Sequence, residues 1–456
     1  MEHFLDDTIV AIATPIGSGG IGVIRVSGAD SSAIRKAIFL PSNSGKTIIN
    51  NLCTGWIVDP VSGEKIDQVM SFFMKGPNSF TGEDVAEFHC HGNPAILQKV
   101  IELVIGQGGR LAARGEFTKR AFLNKKLDLA QAEAVLDLVQ IPTELGAGLA
   151  ARQLAGRLSK TVKKLKEKLL KILAQLEAEI DFPDDVEPLK NGPFLLQLEI
   201  LKNEISELLS AAHSARKLRH GLATVIIGKP NVGKSSLLNL LLGESRAIVS
   251  AEPGTTRDTI VELLEVGGVL LRIVDTAGLR RTTNDVEAQG IQRTENELAA
   301  ADLIIAMFDS STELDNDDLL TTSHNNGKKC INVLNKCDLP PRINLKQLEG
   351  QLSAPLFSTS VIKQHGIAEL KMGIAALSGA LEGNEGGLIL NVRHRDCLTR
   401  ARAAIGDAEK ACQDGLTPDI FAIGIKEAIV ALGEVTGELV SEEVINQIFD
   451  EFCVGK

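Results

Sequence analysis

Apolar residues change their spacing three times along this chain, and each change predicts a different kind of structure. From residue 1 to about 121, short β-rich runs alternate with turns: "TIVAIATP", "IGVIRVSG", "VMSFFM" and "DVAEFHCHG". Such runs, bounded by Gly, Pro and Asp, predict the strands of a small α+β domain. Over 122–220 the apolar positions take helical spacing, as in "LDLAQAEAVLDLV" and "LLKILAQLEAEI", with breaks at "DFPDD" (181–185) and "NGP" (191–193). From 221 to about 379, near-continuous apolar strands ("LATVIIG", "LLRIVD", "DLIIAMFD", "KCINVLN") alternate with helical stretches. Strands of that kind belong in a parallel sheet covered on both faces. After "EGNEGG" (382–387) helical spacing returns and runs to 456. The predicted architecture is multi-domain, α/β and α. It comprises an N-terminal α+β domain (1–121), a helical domain split in sequence (122–220 and 380–456), and an inserted α/β domain (221–379).

Composition changes this picture little. A chain of 456 residues exceeds one core, and 44% apolar residues with mean hydropathy near zero is an ordinary globular profile. Seven cysteines form no C-x-x-C pair and read as reduced thiols of a cytosolic protein. The N-terminus is acidic and no apolar run reaches spanning length, so neither signal peptide nor membrane helix is expected. A net charge of −11 argues against a protein that grips nucleic acid over a wide face. It leaves room for a local basic patch. The run "SKTVKKLKEKLLK" (159–171) sets six lysines on a helical segment above a stripe of Val162, Leu165, Leu169 and Leu170, and its simplest reading is a solvated helix face.

The chemistry sits in the inserted domain. "GKPNVGKSS" (228–236) fits G-x-x-x-x-G-K-[ST] between a strand and a helix. In such a loop the backbone N–H groups around Asn231, Val232 and Gly233 cradle phosphates. Lys234 bridges the β- and γ-phosphates, and the Ser235 hydroxyl, with Ser236 beside it, meets Mg²⁺. Asp275-Thr276-Ala277-Gly278 follows as D-x-x-G, and "NKCD" (Asn335, Lys336, Cys337, Asp338) ends another strand. The Asp338 carboxylate offers two acceptors that match guanine N1–H and N2–H₂, donors that adenine lacks. "STSVI" (358–362) then places Ser360, Val361 and Ile362 where a backbone N–H meets guanine O6. Four ordered elements in these strand contexts make GTP the predicted ligand. The loop "SAEPGTTRD" carries Ser250, Ala251, Glu252, Pro253, Gly254, Thr255 and Thr256, of which Thr256 fits the switch threonine that completes the Mg²⁺ shell. One oddity stands out: Leu279 follows D-T-A-G where Ras-like proteins carry a water-orienting Gln.

At this point the sequence resembles one family over essentially its whole length: the MnmE/TrmE GTPases of wobble-uridine modification in tRNA. The likeness runs through "ATPIGSGGIGVIRVSG", "PNSFTGEDVAEFHCHG", "RGEFTKRAFLNKKLDLAQAEAVLDLV", "AEIDFPDD", the GTP motifs and the terminal "EVTGELVSEEVINQIFDEFCVGK". The resemblance implies a K⁺ ion beside the phosphates, with ligands falling on Asn231, Ser250, Glu252 and Thr255. It also implies a water-placing carboxylate at Glu287, which otherwise reads as a first-turn acid of a helix. Ser250 departs from the Thr of some relatives and Val361 from the usual Ala. It makes the N-terminal domain a dimerising, folate-binding module for a 5-formyl-tetrahydrofolate-type cofactor, with contacts falling on Arg25, Glu87, Lys126 and Lys456. A flavoprotein partner of the MnmG type, in a heterotetramer, and tRNA are implied as well.

Several other readings compete. "GSGGIG" (17–22) resembles a dinucleotide fingerprint but precedes a strand, so Rossmann binding is rejected. "HCH" (89–91) lacks two further ligands for zinc. The closing "CVGK" fails as a prenylation box, and the resemblance turns the Cys453 region toward the folate pocket, although a buried structural thiol is the simpler reading of Cys453. "EEVINQIFDEF" is expected to dock through Val444, Ile445, Ile448 and Phe452. A ribosome-assembly GTPase shares "PNVGKSS" and "GTTRD" but calls for a KH-like or second GTPase domain, and neither is visible. A helical scaffold with a degenerate site calls for a broken motif, and the motifs are intact.

Overall fold

The computed structural model describes residues 7–42, 52–185, 191–244, 262–273, 298–323, 328–378 and 387–456. The chain divides into two compact units: Met1–Leu136 with Gln153–Glu199 and Arg400–Lys456, and Asp137–Arg152 with Ile200–Thr399.

The first unit contains a seven-stranded sheet. Its strands are β1 (Ile9–Ile12), β2 (Gly19–Ser27), β3 (Phe39–Pro41), β4 (Cys53–Val58), β5 (Lys65–Met74), β6 (Val85–Gly92) and β7 (Arg110–Leu111), in the order β3-β4-β5-β6-β2-β1-β7. All pairs are antiparallel except β1 with β7. Period-2 alternation decides which side chain faces which layer. Ile24, Val26, Ala86, Phe88 and Cys90 pack under the helices Ser31–Ile38 and Pro94–Gly106. The intervening Arg25, Glu87 and His89 therefore lie on the opposite face, where Ile9 and Ala11 pack with Ala112 and Phe117. "GSGGIG" becomes the irregular start of β2, with a register shift between Gly19 and Gly22. In "HCH", Cys90 turns into the core, where burial pushes its thiol up to about 12, and His91 Nδ1 meets Asp67 Oδ1 at 2.6 Å.

Helices complete this unit. The long helix Arg157–Asp181 buries Leu158, Val162, Leu165, Leu169, Ile172 and Leu176 and packs on helix Pro418–Thr436. Leu170, expected in that stripe, is 44% exposed, because the seam continues at 3–4-residue steps through Ile172 instead. The last helix, Glu442–Asp450, is capped by the Ser441 hydroxyl. It docks through Ile445, Phe449 and, beyond its end, Phe452, against Leu129, Val135 and Leu136. Phe449 takes the place expected of Val444 and Ile448, which are half-buried at the edge of the seam.

The second unit holds a six-stranded sheet, with β8 (Ala212–Ser214), β9 (Leu222–Ile227), β10 (Glu262–Val266), β11 (Val269–Ile273), β12 (Leu303–Asp309), β13 (Lys329–Asn335), β14 (Leu356–Ser358) and β15 (Leu388–Leu390) following in the chain. The order is β10-β11-β9-β12-β13-β14, parallel except for the β10–β11 hairpin. Separate apolar clusters cover its two faces, one with helices Lys234–Glu244 and Ile367–Ser378 and the other with Leu298, Ile343 and Leu348. The sheet is doubly wound, as its two-sided apolar strands predict. Just before and just after this domain, β8 and β15 pair in parallel, Leu388 opposite Ala212, so the insertion's two ends meet.

Candidate functional site

Strand β9 runs directly into the glycine-rich turn, and helix Lys234–Glu244 leaves it. Two glycines are needed by the space around them. Gly228 (φ +144) packs against the Met307 carbonyl, and a Cβ at Gly233 (φ +107) would collide with Asn335 Nδ2. Asn231 also adopts the left-handed region (φ 66), which Asn tolerates better than most residues. Lys234 curls over this turn, donating from Nζ to the carbonyls of Gly228 and Lys229 at 2.7 Å each. Burial disfavours its charged form and lowers its pKa. Lys229 is fastened outside the turn by Asp315 (2.8 Å) and Asp318 (2.7 Å). Burial opposes its charge, but the two carboxylates prevail and raise its pKa. Ser235 and Ser236 occupy the first turn of the helix, at the positive end of its dipole.

Asn335 joins this turn to the base loop. Its Nδ2 donates to the Val232 carbonyl at 2.8 Å, while its Oδ1 accepts from Val361 N–H at 3.2 Å and from Thr359 Oγ1 at 3.4 Å. Lys336 takes a left-handed φ of 62 and donates from Nζ to Asp309 Oδ2 at 2.5 Å. Cys337 N–H reaches the Thr359 carbonyl at 3.1 Å. Asp338 accepts from the Ser360 hydroxyl at 2.6 Å, and that bond holds its carboxyl below the usual range. Ser360 N–H donates to the His365 carbonyl at 3.0 Å, and Ile362 is 86% exposed. Residues 228–236, 335–338 and 360–362 thus converge at the carboxyl ends of the parallel strands, the ligand side of a doubly wound sheet. Ser250, Ala251, Glu252, Pro253, Gly254, Thr255, Thr256, Asp275, Thr276, Ala277, Gly278 and Glu287 lie outside the described residues.

The second candidate site occupies the face of the N-terminal sheet turned away from helices Ser31–Ile38 and Pro94–Gly106. Arg25 and Glu87 are cross-strand partners, joined Nε to Oε1 at 2.8 Å, a pairing that was not legible in their separate motifs. The Arg25 guanidinium lies 5.6 Å from the Phe117 ring centre and 5.8 Å from that of Phe80. Phe117 in turn donates its backbone N–H to the Lys456 carbonyl at 3.2 Å. Residues 453–456 therefore form a wall of this site: Gly115 N–H reaches the Cys453 carbonyl at 3.4 Å, Val454 bridges Arg114, and Gly455 (φ +96) packs on the Ile12 carbonyl. Cys453 is exposed, not buried: its carbonyl accepts from Gly115 while its side chain stays at the surface. Lys126 anchors the loop that carries Phe80, donating from Nζ to the Pro77 carbonyl at 2.9 Å. Of the four expected cofactor residues, Arg25 and Glu87 are in contact, and Lys126 and Lys456 frame them through neighbouring backbone.

Behind this face sits a charge network that no motif announced. Arg120, its side chain 2% exposed, reaches Asp7, Glu83 and Glu116, and Arg110 joins Asp7 and Glu116. Burial raises the Asp7 and Glu116 pKa values, but the two guanidiniums outweigh it and hold both carboxyls below their ordinary values. The signal was present in "RGEFTKR", where Glu116 and Arg120 stand four apart on a helix.

A doubly wound sheet with a phosphate-cradling turn and an N-K-x-D loop at its ligand edge defines a P-loop guanine-nucleotide-binding domain. Comparison with known proteins carries this further. A family model described as the GTP-binding protein TrmE N-terminus matches residues 8–126, and one described as the MnmE helical domain matches residues 129–453. The chain is 42% identical over 461 residues to the tRNA modification GTPase MnmE of Alkaliphilus oremlandii, covering 99% of this chain and all of that one. It is 41% identical over 457 residues to that of Geobacter sulfurreducens, with 99% and 100% covered, and 43% identical over 460 residues to that of Geobacillus kaustophilus, with 99% of each covered. Among solved structures, the G domain of the T. maritima FeoB iron transporter is 26% identical over 34% of this chain and 97% of that one, with a TM-score of 0.27. The chain belongs to the MnmE family of tRNA modification GTPases.

Proposed function

We infer that this protein hydrolyses GTP in a K⁺- and Mg²⁺-dependent manner. As a homodimer joined to a flavoprotein of the MnmG type, it installs an aminomethyl or carboxymethylaminomethyl group at C5 of the wobble uridine of certain tRNAs. The observation that carries the nucleotide assignment is the Asn335 amide, which ties the P-loop at Val232 to the base loop at Val361 and so sets phosphate and base contacts in one frame. Asp338, charged and held by Ser360, accepts from guanine N1–H and N2–H₂. The long 3.2 Å bond of Val361 N–H leaves room to share that donor with guanine O6. Lys234 exchanges two neutral carbonyls for β- and γ-phosphate oxygens, a gain for a buried ammonium.

The donor types suit the metals. Ser235 and Thr256 offer hydroxyls for Mg²⁺. Asn231, at the left-handed bend of the turn, offers an amide oxygen to K⁺ alongside Ser250, Glu252 and Thr255. A monovalent cation held by these residues would supply positive charge beside the nucleotide's phosphates, and Glu287 would orient the water, which Leu279 cannot do. The Arg25–Glu87 pair beside the exposed ring of Phe80 would offer a flat aromatic ring a stacking surface and a carboxylate, while Lys126 and Lys456 suit an acidic tail. A folate held by these residues would supply a one-carbon unit. Mass analysis of wobble nucleosides in cells lacking the gene tests the whole reading; a full complement of C5-modified uridine in those cells refutes it.

A further inference from the structure

The lysines of helix Arg157–Asp181 take no part in nucleotide or cofactor contacts, and their arrangement is not one that helix stability requires. Val162, Leu165, Leu169 and Ile172 form the buried seam. Lys160, Lys163, Lys164 and Lys171 are exposed. At 3.6 residues per turn Lys160, Lys164 and Lys171 fall within about 40° of one another, on the side away from that seam. Lys160 and Lys164, and Lys164 and Lys168, stand at i,i+4, where like charges weaken a helix. A helix that needs only solubility mixes Glu with Lys, whereas here the carboxylates Glu177, Glu179 and Asp181 gather at the far end, beyond the last lysine. Between 157 and 176 the sole carboxylate is Glu167. Among the described residues Lys160, Lys163, Lys164 and Lys171 have no ion-pair partner, whereas Lys166, turned further round, pairs with Glu438. In a chain of net charge −11 this is a concentrated, uncompensated cation row.

We propose that this row is a docking surface for the sugar–phosphate backbone of tRNA, a proposal that rests on tRNA as the substrate. From Lys160 to Lys171 the row is about 16 Å long, enough to meet several phosphates of one RNA segment. Lysine ammonium groups are mobile point charges, suited to phosphate oxygens without bidentate geometry. The helix carries no aromatic residue to stack on a base. The contact therefore positions the RNA and reads no sequence, which fits a family that must accept several tRNAs.

The test uses the full-length chain, wild type and the quadruple variant K160Q/K163Q/K164Q/K171Q; Gln matches Lys in helix propensity, so the fold is retained. Affinity for an unmodified tRNA transcript is measured across a salt series, with GTP turnover and thermal unfolding in parallel. The expected result is a loss of about tenfold or more at low salt and a log–log salt slope shallower by about 2–4, at about 0.7–0.9 for each phosphate contact removed. GTP turnover and unfolding should be unchanged. If wild type binds tRNA and the variant binds equally well with the same slope, the docking surface is refuted while tRNA stands as ligand. If wild type itself fails to bind, direct tRNA recognition by this chain falls, and the proposal with it. If the variant keeps tRNA but loses binding to phosphatidylglycerol vesicles, the row serves a membrane surface and the proposal is overturned.

Discussion

Replacing Arg120 by Met should unfold the N-terminal sheet region well before the rest of the molecule. Arg120 donates to the Asp7 carbonyl at 2.8 Å, to Asp7 Oδ1 at 2.6 Å, to Glu116 at 2.9 Å and to Glu83 at 3.1 Å. Removing one member of a buried charge cluster typically costs about 3–5 kcal/mol, since the remaining charges are left desolvated and unpaired. Here Asp7 and Glu116 keep Arg110, and Glu83 keeps the Ser27 hydroxyl at 2.7 Å, which argues for the low end, about 3 kcal/mol. The lone tryptophan, Trp56 in β4, makes intrinsic fluorescence a reporter of this sheet alone. With an m-value of about 1.5–3 kcal/mol/M in urea, the midpoint should fall by about 1–2 M. The deficit should also depend on pH. Asp7 and Glu116 have folded pKa values below their unfolded ones, so the stability they lend is present above the ordinary carboxylate range and is lost as pH falls through the folded values. The gap between wild type and variant should therefore narrow below about pH 4. A midpoint shift under about 0.3 M at pH 7, or a gap that widens on acidification, would refute this account of the network.

The remaining expectations concern the chemistry. GTP turnover should require K⁺ over Na⁺, and Asn231→Lys should abolish that dependence or the activity; equal rates in the two salts exclude the cation site. Asp338→Asn should shift preference from guanine to xanthine nucleotides, read by competition, because the amide turns one acceptor into a donor. Glu287→Ala should lower kcat by about 10²–10⁴ while nucleotide affinity barely changes; near wild-type turnover returns the water to another group. Deleting residues 453–456 should abolish tRNA modification and leave GTP turnover nearly intact, because the nucleotide contacts lie between 228 and 362 and the deleted carbonyls bond Gly115 and Phe117. Restored modification in complemented cells would remove the tail from the active centre.

What could be read from the sequence was what local pattern controls. β9, β12 and β13 are apolar at most positions and buried at all but Lys329, and only a sheet covered on both faces asks for that. The P-loop and N-K-x-D loops are short and contiguous, so spacing alone located them. The short strands β3, β7, β10 and β14 carried no signal of their own, because two to five residues at a sheet edge owe their conformation to a neighbour's hydrogen bonds and not to period. The same holds for β8 and β15, which exist only because the ends of the insertion meet. Long-range pairings were the other blind spot. Arg25 and Glu87 are 62 residues apart, and nothing short of strand register shows that they face one another. Asp309, at the end of a quoted strand, proved to be the partner of Lys336. The seam of the last helix runs through Ile445, Phe449 and Phe452, turned slightly from the stripe of Val444 and Ile448, because the chain beyond the helix end packs into the same cluster.

The docking of residues 453–456 against Arg114, Gly115 and Phe117 has a consequence for how the protein comes into being. The sheet that bears Arg25 and Glu87 is synthesised early, yet the wall beside it is made roughly 330 residues after Lys126. At about 5–20 residues per second this is a delay of roughly 15–65 s. During that interval the nascent chain can close its sheet around Val10, Ile24 and Phe88 but cannot complete the pocket. A chain clipped within its final helix keeps the strands and loops of the nucleotide domain but leaves the backbone of Gly115 and Phe117 without these carbonyl partners. The face that bears Arg25 and Glu87 thus gains this wall only after the helical segment and the nucleotide domain between them have been made.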